Sequence, residues 1–331
     1  MTKRIRVGII GANPDRGWAA QAHIPALQSL PDDFEITALS TSRRESAAAA
    51  SKRFGVPLAF DNHEDLVNRA DVDVVAITVK VPYHFELATA ALTAGKAVYC
   101  EWPLGNGLRE AEKLAALAKK KGVLAVAGLQ ARAAPPVLYV RDLIRQGYVG
   151  EVLSTTLIGS GMGWGSTVPL YNAYLNDRKN GATLLSIALG HAADALCYCL
   201  GEVRELSATM TMRRKSFTIA GTEESRPMKA DDQVSVTGLL EGGAALSIHY
   251  RGGRSRGTNL LCQRRPGVRA FRARPSRGNA SLCHVRRRGH APSDVGRDRE
   301  GGGNRTASNA RLIRREHSHW LEMFAVMFAG P

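Results

Sequence analysis

The stretch "VGIIGANPDRGWAAQAHIPAL", residues 7–27, decides the fold. An apolar run is followed by a turn that contains glycine, and then by the apolar spacing of a helix. Such a strand–turn–helix unit opens a doubly wound sheet, and the free N–H groups at the start of its helix suit the pyrophosphate of a dinucleotide. Two interpretations stay open for the turn: a dinucleotide site, or a tight turn that binds nothing.

The spacing of this turn departs from the G-x-G-x-x-G pattern. Gly11 is present, Asn13 replaces the middle glycine, and Gly17 comes one residue late. Asparagine tolerates left-handed backbone, so we expect the turn to form. The predicted cofactor contacts in the turn are Gly11, Ala12, Asn13 and Trp18.

The first 130 residues continue the alternation of strands and helices. Further apolar runs, "FEITALS", "VDVVAIT", "AVYC" and "LAVAG", are separated by helical patterns. Their near-continuous Val and Ile content predicts strands that are buried on both faces of a parallel sheet. We therefore predict an α/β fold with an N-terminal Rossmann-type doubly wound domain over residues 1–130.

The pattern changes after residue 130. Segments such as "EVLSTTLIGS", "DQVSVTGLL" and "GAALSIHYRG" alternate as half-buried antiparallel strands do, and one apolar helix, "ATLLSIALGHAADALCYCLG", is set among them. We predict that residues 131–261 form a C-terminal α+β domain with a mainly antiparallel open sheet.

The segment 262–331 has no strand or helix period and is rich in Arg and Gly. From residue 251 to the end there are 18 arginines, no lysine and 5 acidic residues, so this stretch holds most of the formal net charge of +15. We predict that the segment is disordered or translated out of frame. A basic arm for nucleic acid is the alternative, and the abrupt loss of lysine and of strand pattern disfavours it.

Membrane and metal sites are not predicted. No apolar run approaches the roughly 20 residues that span a bilayer. The five cysteines include no C-x-x-C pair, which favours reduced thiols in a cytoplasmic protein.

The end of the second predicted strand, "ALSTSRRES", bears on the cofactor. A sheet that binds NAD usually carries an acidic residue here for the adenosine 2′-hydroxyl. Hydroxyl groups and the cations Arg43 and Arg44 stand here instead, and a guanidinium pairs with phosphate through two hydrogen bonds. We predict NADP, with NAD as the alternative, and Ser42 and Arg43 as its contacts. A solvated helix start is the interpretation without a ligand.

Four blocks, "GIIGANPDRGW", "VKVPYHFELATAALTAGKAVYCEWPLG", "GLQARAAPPVLYVRDLIRQGYVGEV" and "GATLLSIALGHAADALCYCLGE", carry a family resemblance. Their order resembles the glucose–fructose oxidoreductase/inositol dehydrogenase/MocA family, in particular the branch that contains the fungal galactose-regulon repressor. The resemblance spans residue 3 to about 261. It implies an N-terminal dinucleotide fold and a C-terminal sheet that builds homodimers or tetramers.

The resemblance places the reaction at "CEWPLG", residues 100–105. The family has Glu-Lys-Pro here, where nicotinamide and substrate meet, so Trp102 stands in the position of the catalytic lysine. An indole N–H donates one hydrogen bond, and its face stacks on a sugar or nicotinamide ring. The resemblance thus implies Trp102 as a substrate contact, and Val79, Pro82, His84 and Glu101 as cofactor contacts. Whether Lys80 or Lys96 reaches the site is not evident from the sequence.

The second-domain helix supplies the other half of the implied site. The family carries Asp, three residues, His, two residues and Asp; His191 and Asp194 match the second half. The preceding Asp is replaced by Ile187, or by Ser186 if the register slips by one. His191 is the implied acid or base and Asp194 an implied substrate contact. A satisfied histidine on an apolar helix is the alternative.

Four further residues complete the predicted site. Tyr174 and Asp177 precede the His191 helix and are predicted to line the substrate pocket. Gln130 and Arg132 fall at the domain crossover and are predicted cofactor contacts. The sequence therefore favours an NADP-dependent oxidoreductase acting on a hydroxyl or carbonyl of a sugar, cyclitol or related small molecule. The alternative is a catalytically inactive NADP-sensing regulator that acts through protein contact.

Overall fold

The computed structural model describes residues 3–253, and the predicted segment 262–331 lies outside the described residues. The N-terminal part is a six-stranded sheet of order β3-β2-β1-β4-β5-β6, with every pair parallel. Its strands are β1 (Ile5–Ile10), β2 (Phe34–Ser40), β3 (Leu58–Phe60), β4 (Val74–Ile77), β5 (Ala97–Glu101) and β6 (Ala125–Gly128).

Helices cover both faces of this sheet. They are α1 (Ile24–Gln28), α2 (Arg44–Phe54), α3 (Glu64–Val67), α4 (His84–Thr93) and α5 (Leu108–Lys121). On β1, Ile9 packs in one apolar cluster with Ala50 of α2, whereas Ile10 packs in another with Leu87 of α4. Successive side chains of a strand point to opposite faces, so both faces are buried. The prediction of a doubly wound parallel sheet is confirmed.

The first helix differs from the continuous helix that its apolar spacing predicts. Ala19–His23 is a π-helix, and α1 follows it directly. The N–H of Ile24 donates to the carbonyl of Ala19, five residues back, so this turn holds one residue more than an α-turn. Gly17, which comes one residue later than in the G-x-G-x-x-G pattern, lies two residues before this π-helix.

The C-terminal part contains two sheets, of order β7-β13-β12-β9 and β11-β10-β8, and the helices α6 (Pro135–Arg145) and α7 (Gly190–Leu200). Its strands are β7 (Ser154–Gly161), β8 (Thr167–Val168), β9 (Val203–Thr211), β10 (Ser216–Ile219), β11 (Ser225–Pro227), β12 (Gln233–Leu240) and β13 (Ala245–Gly252). β12 pairs antiparallel with both neighbours, as predicted, whereas β7 pairs parallel with β13 and β8 parallel with β10.

The four-stranded sheet has one packed face and one open face. In β12, Val234 and Val236 are buried, whereas the alternating residues Ser235 and Thr237 are exposed. The packed face shares an apolar cluster with Leu189, at the end of a second π-helix, Leu184–Leu189, which leads directly into α7. Within residues 3–253 no helix is long and apolar enough to cross a membrane.

Candidate functional site

The first turn follows β1 at the carboxyl edge of the parallel sheet. Gly11 has φ +98°, and a Cβ there would lie 2.7 Å from Cγ1 of Val79. The backbone conformation and this close approach both require glycine at residue 11. The side-chain oxygen of Asn13 accepts the N–H groups of Asp15 (2.9 Å) and Arg16 (3.2 Å). The asparagine thus shapes the turn by an Asx bond that replaces the missing glycine.

The rest of this turn leaves room for a ligand. Ala12 is fully buried beneath the turn, and Trp18 is 43% exposed. A Cβ on Gly17, which has φ +100°, would meet no atom within 4 Å among the described residues. A buried floor beneath an open glycine suits a dinucleotide pyrophosphate, which needs close approach to backbone.

The edge of β2 carries the residues that the sequence assigns to the 2′-phosphate. Arg43 is the N-cap of α2, and its carbonyl accepts the hydroxyls of Thr41 and Ser46, both at 2.9 Å. These bonds fix the backbone, while the side chains of Ser42, Arg43 and Arg44 stay exposed to solvent. The two guanidinium groups therefore lie at the strand end where a Rossmann sheet receives the adenosine ribose.

His84 plays a different part from the one implied by the resemblance. It is 1% exposed, and its ring nitrogens lie 2.6 Å from the carbonyl of Pro103 and 3.0 Å from that of Val79. Burial lowers the pKa of His84, and the two carbonyls oppose that shift by favouring the protonated ring. His84 thus joins the ends of β4 and β5 and presents neither nitrogen to a cofactor. Pro82, two residues earlier, is exposed at the same edge.

Glu101 ends β5 and pairs with a histidine that the sequence interpretation missed. His23 Nε2 lies 2.6 Å from Glu101 Oε1, and both side chains are 13% exposed. The His23 ring also contacts the edge of Tyr99, at a centroid distance of 5.3 Å. His23 is the last residue of the π-helix Ala19–His23, so the inserted residue sets the direction of its ring. The position of Gly17, one residue later than in the G-x-G-x-x-G pattern, was the sequence signal for this inserted residue.

His191 is the second residue of α7, two residues after the end of the second π-helix, and its side chain is partly buried. Burial lowers the pKa of His191 most, while the nearby carboxylates of Glu101 and Asp194 raise it in part. A lowered pKa keeps the imidazole neutral at neutral pH, as a base requires. The Glu101 carboxylate, at the end of β5, thus acts on the protonation of His191 from the other domain.

The second π-helix also resolves the register of the family's missing aspartate. One extra residue between Ser186 and His191 lets Ser186 occupy the turn before the histidine. The Ser186 hydroxyl donates to the carbonyl of Gly181 (2.6 Å) and accepts the N–H of Thr183 (2.8 Å). It belongs to the capping box that starts the π-helix and does not replace a carboxylate.

Trp102 is a core residue, which corrects its predicted role as an open stacking platform. It is 5% exposed, and its indole N–H donates to the main-chain carbonyl of Ser186 at 2.7 Å. A Cβ on Gly190 would lie 2.7 Å from Nε1 of Trp102, so the absence of a side chain at residue 190 admits the indole. The donor that the sequence offered to substrate is already used to join the two domains.

A cavity of about 330 Å³ lies against Trp102. Its walls include Leu104, Leu185, Arg178 and Asp231. His191 and the Gly11 turn are not among its lining residues in the described part of the chain. None of the predicted acid–base residues and none of the predicted contacts in the Gly11 turn therefore lines this cavity.

Arg132 and Asp194 form an ion pair between the crossover and α7. Asp194 is 0% exposed, and its Oδ1 accepts from Arg132 Nη2 at 2.7 Å and from Nε at 3.0 Å. The Arg132 guanidinium also lies 5.3 Å from the ring centroid of Tyr198. The pair orients the helix that carries His191, so its oxygens serve the fold and not a substrate. Gln130, at the same crossover, is exposed.

The segment Leu170–Asn176 carries two tyrosines that meet cations of the Rossmann edge. Lys80 Nζ lies 4.7 Å from the ring centroid of Tyr174, and the Arg16 guanidinium 5.5 Å from that of Tyr171. Both distances suit cation–π contacts. Tyr174 therefore stands at the predicted cleft, and Lys80 is a neighbour that sequence alone did not place.

Asp177 has a local role in the chain that follows. Its carboxylate accepts the N–H of Lys179 at 3.1 Å and caps the short helix Arg178–Asn180. Its other oxygen lies 4.0 Å from Nζ of Lys229. These contacts stabilise the turn, and the Asp177 side chain stays partly exposed to solvent.

The structure has a parallel sheet with an open glycine turn at its carboxyl edge, followed by an α+β domain. This is the architecture of two-domain Rossmann oxidoreductases. A family model described as "Oxidoreductase family, NAD-binding Rossmann fold" matches residues 5–129, and one described as "Gal80p, C-terminal domain" matches residues 135–263. The chain belongs to the glucose–fructose oxidoreductase/inositol dehydrogenase/MocA family, near its Gal80 branch.

Relatives in this family include both enzymes and regulators. Dehydrogenase aclE of Aspergillus oryzae is 39% identical over 223 residues, covering 64% of this chain and 59% of that protein. The galactose/lactose metabolism regulatory protein GAL80 of Saccharomyces cerevisiae is 29% identical over 266 residues, covering 76% and 61%. The crystal structure of a super-repressor mutant of that Gal80p superposes with a TM-score of 0.71 at 28% identity, covering 76% of this chain and 69% of that one. The chain thus spans about 60% of the length of these curated relatives.

Proposed function

We propose that the protein is an NADP-dependent oxidoreductase that acts on a hydroxyl or carbonyl of a sugar, cyclitol or related small molecule. The observation that carries the proposal is the partly buried His191 on α7, whose pKa is influenced by the Glu101 carboxylate at the carboxyl end of β5. A base with a lowered pKa beside a carboxylate is the arrangement that proton removal from a hydroxyl needs. The similarity to a protein named as a dehydrogenase supports the same reading.

In the oxidation direction, neutral His191 takes the hydroxyl proton of the substrate. Glu101 stabilises the imidazolium that forms, because a nearby carboxylate favours the charged ring. His23 holds Glu101 in place through its 2.6 Å bond. When bound, NADP⁺ supplies the hydride acceptor.

The residues that hold this cofactor fall into three groups. The Gly11 turn receives the pyrophosphate, with Ala12 beneath it and Asn13 and Trp18 beside it. Ser42 and Arg43 receive the 2′-phosphate. The nicotinamide end is bounded by Val79, Pro82, Glu101 and Gln130 at the ends of the neighbouring strands.

Cofactor preference tests the second group. We expect NADPH to bind at least about tenfold tighter than NADH, which corresponds to about 1.4 kcal/mol. Exposed Arg43 and Arg44 supply the preference through charge-assisted bonds to the 2′-phosphate. Replacing both by alanine should remove most of the difference, measured by fluorescence titration of each cofactor.

The matched control is Arg204→Ala, which removes an exposed arginine from β9 in the other domain. It should leave both affinities unchanged. Equal affinities of the unmodified protein for NADPH and NADH would refute the NADP assignment.

The second candidate is a catalytically inactive NADP-sensing regulator that acts through protein contact. Two observations favour it: the indole of Trp102 replaces a cation of the family, and the chain is similar to regulators named GAL80. We give the enzyme proposal precedence because the chain retains His191, a histidine suited to act as acid or base, and because a relative is named as a dehydrogenase.

One experiment separates the two candidates. The protein is assayed for NADP⁺ reduction and NADPH oxidation against a panel of sugars, sugar acids, inositols and their keto forms. We expect turnover with at least one member. Tight NADPH binding without turnover of any member would overturn the enzyme proposal and favour the regulator.

We further propose a domain division at residues 1–130 and 131–261, a cytoplasmic location and a homodimer or homotetramer. Cys100, Cys197 and Cys199 are free thiols, which suits a reducing compartment. The open face of the four-stranded sheet, with Ile158 75% exposed, is the surface that a second copy would cover. A monomer in sedimentation velocity at micromolar concentration would contradict the oligomer.

A further inference from the structure

Hydride transfer from a hydroxyl-bearing carbon leaves negative charge on the oxygen until its proton has moved. A cation held beside that oxygen lowers the barrier, because its charge acts where the new charge develops. Trp102 cannot supply this charge: the indole is neutral, and its N–H already donates to Ser186. The proposed function therefore raises the question of which other residue stands beside the reacting oxygen.

Two other cations are already engaged elsewhere. Lys96 Nζ donates to the carbonyls of Arg69 (2.5 Å) and Val72 (2.8 Å), which lie at the amino-terminal edge of the sheet, opposite the site. Arg132 is engaged by the buried carboxylate of Asp194. Neither side chain can turn to a substrate without breaking bonds that hold the fold.

Lys80 lies at the correct edge. It follows β4, which pairs with both β1 and β5, so it stands between the Gly11 turn and Glu101. The next residue, Val81, is 3% exposed and packs in the apolar cluster of the second domain together with Tyr174. The backbone at Lys80 is thus fixed where the two domains meet.

The side chain of Lys80 points across this junction. Its ammonium lies 4.7 Å from the ring centroid of Tyr174, on the segment that precedes the His191 helix. Within residues 3–253 the ammonium makes no hydrogen bond or ion pair. A cation–π contact leaves the N–H groups of an ammonium free to donate elsewhere, unlike the bonds that hold Lys96.

We propose that Lys80 is the catalytic cation of this site. Its ammonium donates a hydrogen bond to the reacting oxygen and stabilises the negative charge on it, and Tyr174 holds the lysine in position. In oxidation the C–H hydride goes to NADP⁺, the hydroxyl proton goes to His191, and the carbonyl forms. Lys80 stays protonated throughout. The inference rests on the proposed oxidoreductase function and names a residue for it.

The test compares Lys80→Met with Lys113→Met in the full-length chain, on a substrate from the panel. Lys113 is the matched control, because its ammonium also lies over an aromatic ring, that of Phe85 at 6.0 Å, but on α5. We expect Lys80→Met to lower kcat and kcat/KM by about 100-fold or more, with NADPH affinity and thermal midpoint unchanged. Lys113→Met should keep full turnover.

Chemical rescue shows whether the loss of rate comes from the missing positive charge at residue 80 or from altered packing. Lys80→Cys should be as slow as Lys80→Met, and treatment with bromoethylamine, which rebuilds an ammonium on the cysteine sulfur, should restore at least about a tenth of the lost rate. The unmodified protein treated with the same reagent controls for reaction at its own cysteines.

Different outcomes of these experiments contradict the Lys80 proposal and the proposed function. If the unmodified protein turns over a substrate and Lys80→Met stays within about threefold of it, the Lys80 proposal is overturned and the proposed function stands. If Lys80→Met loses NADPH affinity as strongly as turnover, Lys80 is a cofactor contact and the proposal is likewise overturned. If the unmodified protein turns over no member of the panel, the proposed function fails, and this inference fails with it.

Discussion

Replacing His191 by alanine should lower kcat by about 10²–10⁴-fold, the range that a positioned acid or base contributes. NADPH should bind as before, because the cofactor is held by the turns of the other domain. The measurement is steady-state turnover of the panel substrate beside fluorescence titration of NADPH. His249→Ala is the matched control, since His249 is exposed on the open face of the sheet.

The pH dependence of the unmodified protein follows from the same residue. Burial lowers the pKa of His191, with Glu101 and Asp194 opposing the shift. Oxidation needs the neutral ring, so its rate should fall only as the pH drops through this lowered pKa. Reduction needs the protonated ring and should fall as the pH rises through it. Turnover of His191→Ala within about threefold of the unmodified protein would remove His191 from the mechanism.

Trp102→Ala should destabilise the protein by about 3–5 kcal/mol, the usual range for removing a buried aromatic side chain. The change leaves a cavity at a 5% exposed position and leaves the Ser186 carbonyl without its indole donor. Urea unfolding followed by far-ultraviolet circular dichroism measures the free energy of unfolding. Trp18→Ala removes an indole that is 43% exposed and should change it by less than about 0.5 kcal/mol.

Two further substitutions separate the hydrogen bond from the packing. Trp102→Phe keeps most of the ring and loses the bond to Ser186, so it should cost about 1–3 kcal/mol. Gly190→Ala should cost about as much by overpacking, because the new methyl would meet Nε1 of Trp102 at 2.7 Å. If Trp102→Ala instead leaves stability intact and weakens substrate binding, the indole is an open platform after all.

The parallel sheet was predictable because its signals are local. Runs of Val and Ile separated by helical periods can be recognised without knowledge of the packing. The carboxyl ends of the strands then define the edge of the sheet where ligands bind. That is why the Gly11 turn could be predicted from the strand–turn–helix pattern, whereas Glu101 and His191 were implied only by the family resemblance.

The parts that escaped the sequence depend on single inserted residues and on side-chain direction. A π-turn differs from an α-turn by one residue, which a hydrophobic period does not show, so His23 went unrecognised and the choice between Ile187 and Ser186 stayed open. An indole at a strand end can face solvent or core with equal local propensity. Only the packing against Gly190 shows that Trp102 is buried.

The bond from Trp102 to Ser186 has a mechanical consequence. It joins residues 84 positions apart, and the Arg132–Asp194 pair joins residues 62 apart. Rotation of one domain against the other would break the bond from Trp102 to Ser186, whereas Arg132 and Asp194 both lie after residue 130 and would move together. The segment Leu170–Asn176 contacts the Rossmann edge through two cation–π contacts, each worth about 0.5–1 kcal/mol where solvent reaches them. Within its own part of the chain it is held by the indole N–H of Trp164, which donates to the Leu175 carbonyl, and by the N–H of Lys229, which donates to the Asn176 carbonyl. The two domains are therefore joined at Trp102 by a buried hydrogen bond, and the contacts of Lys80 and Arg16 with the two tyrosine rings add weaker links at the same junction.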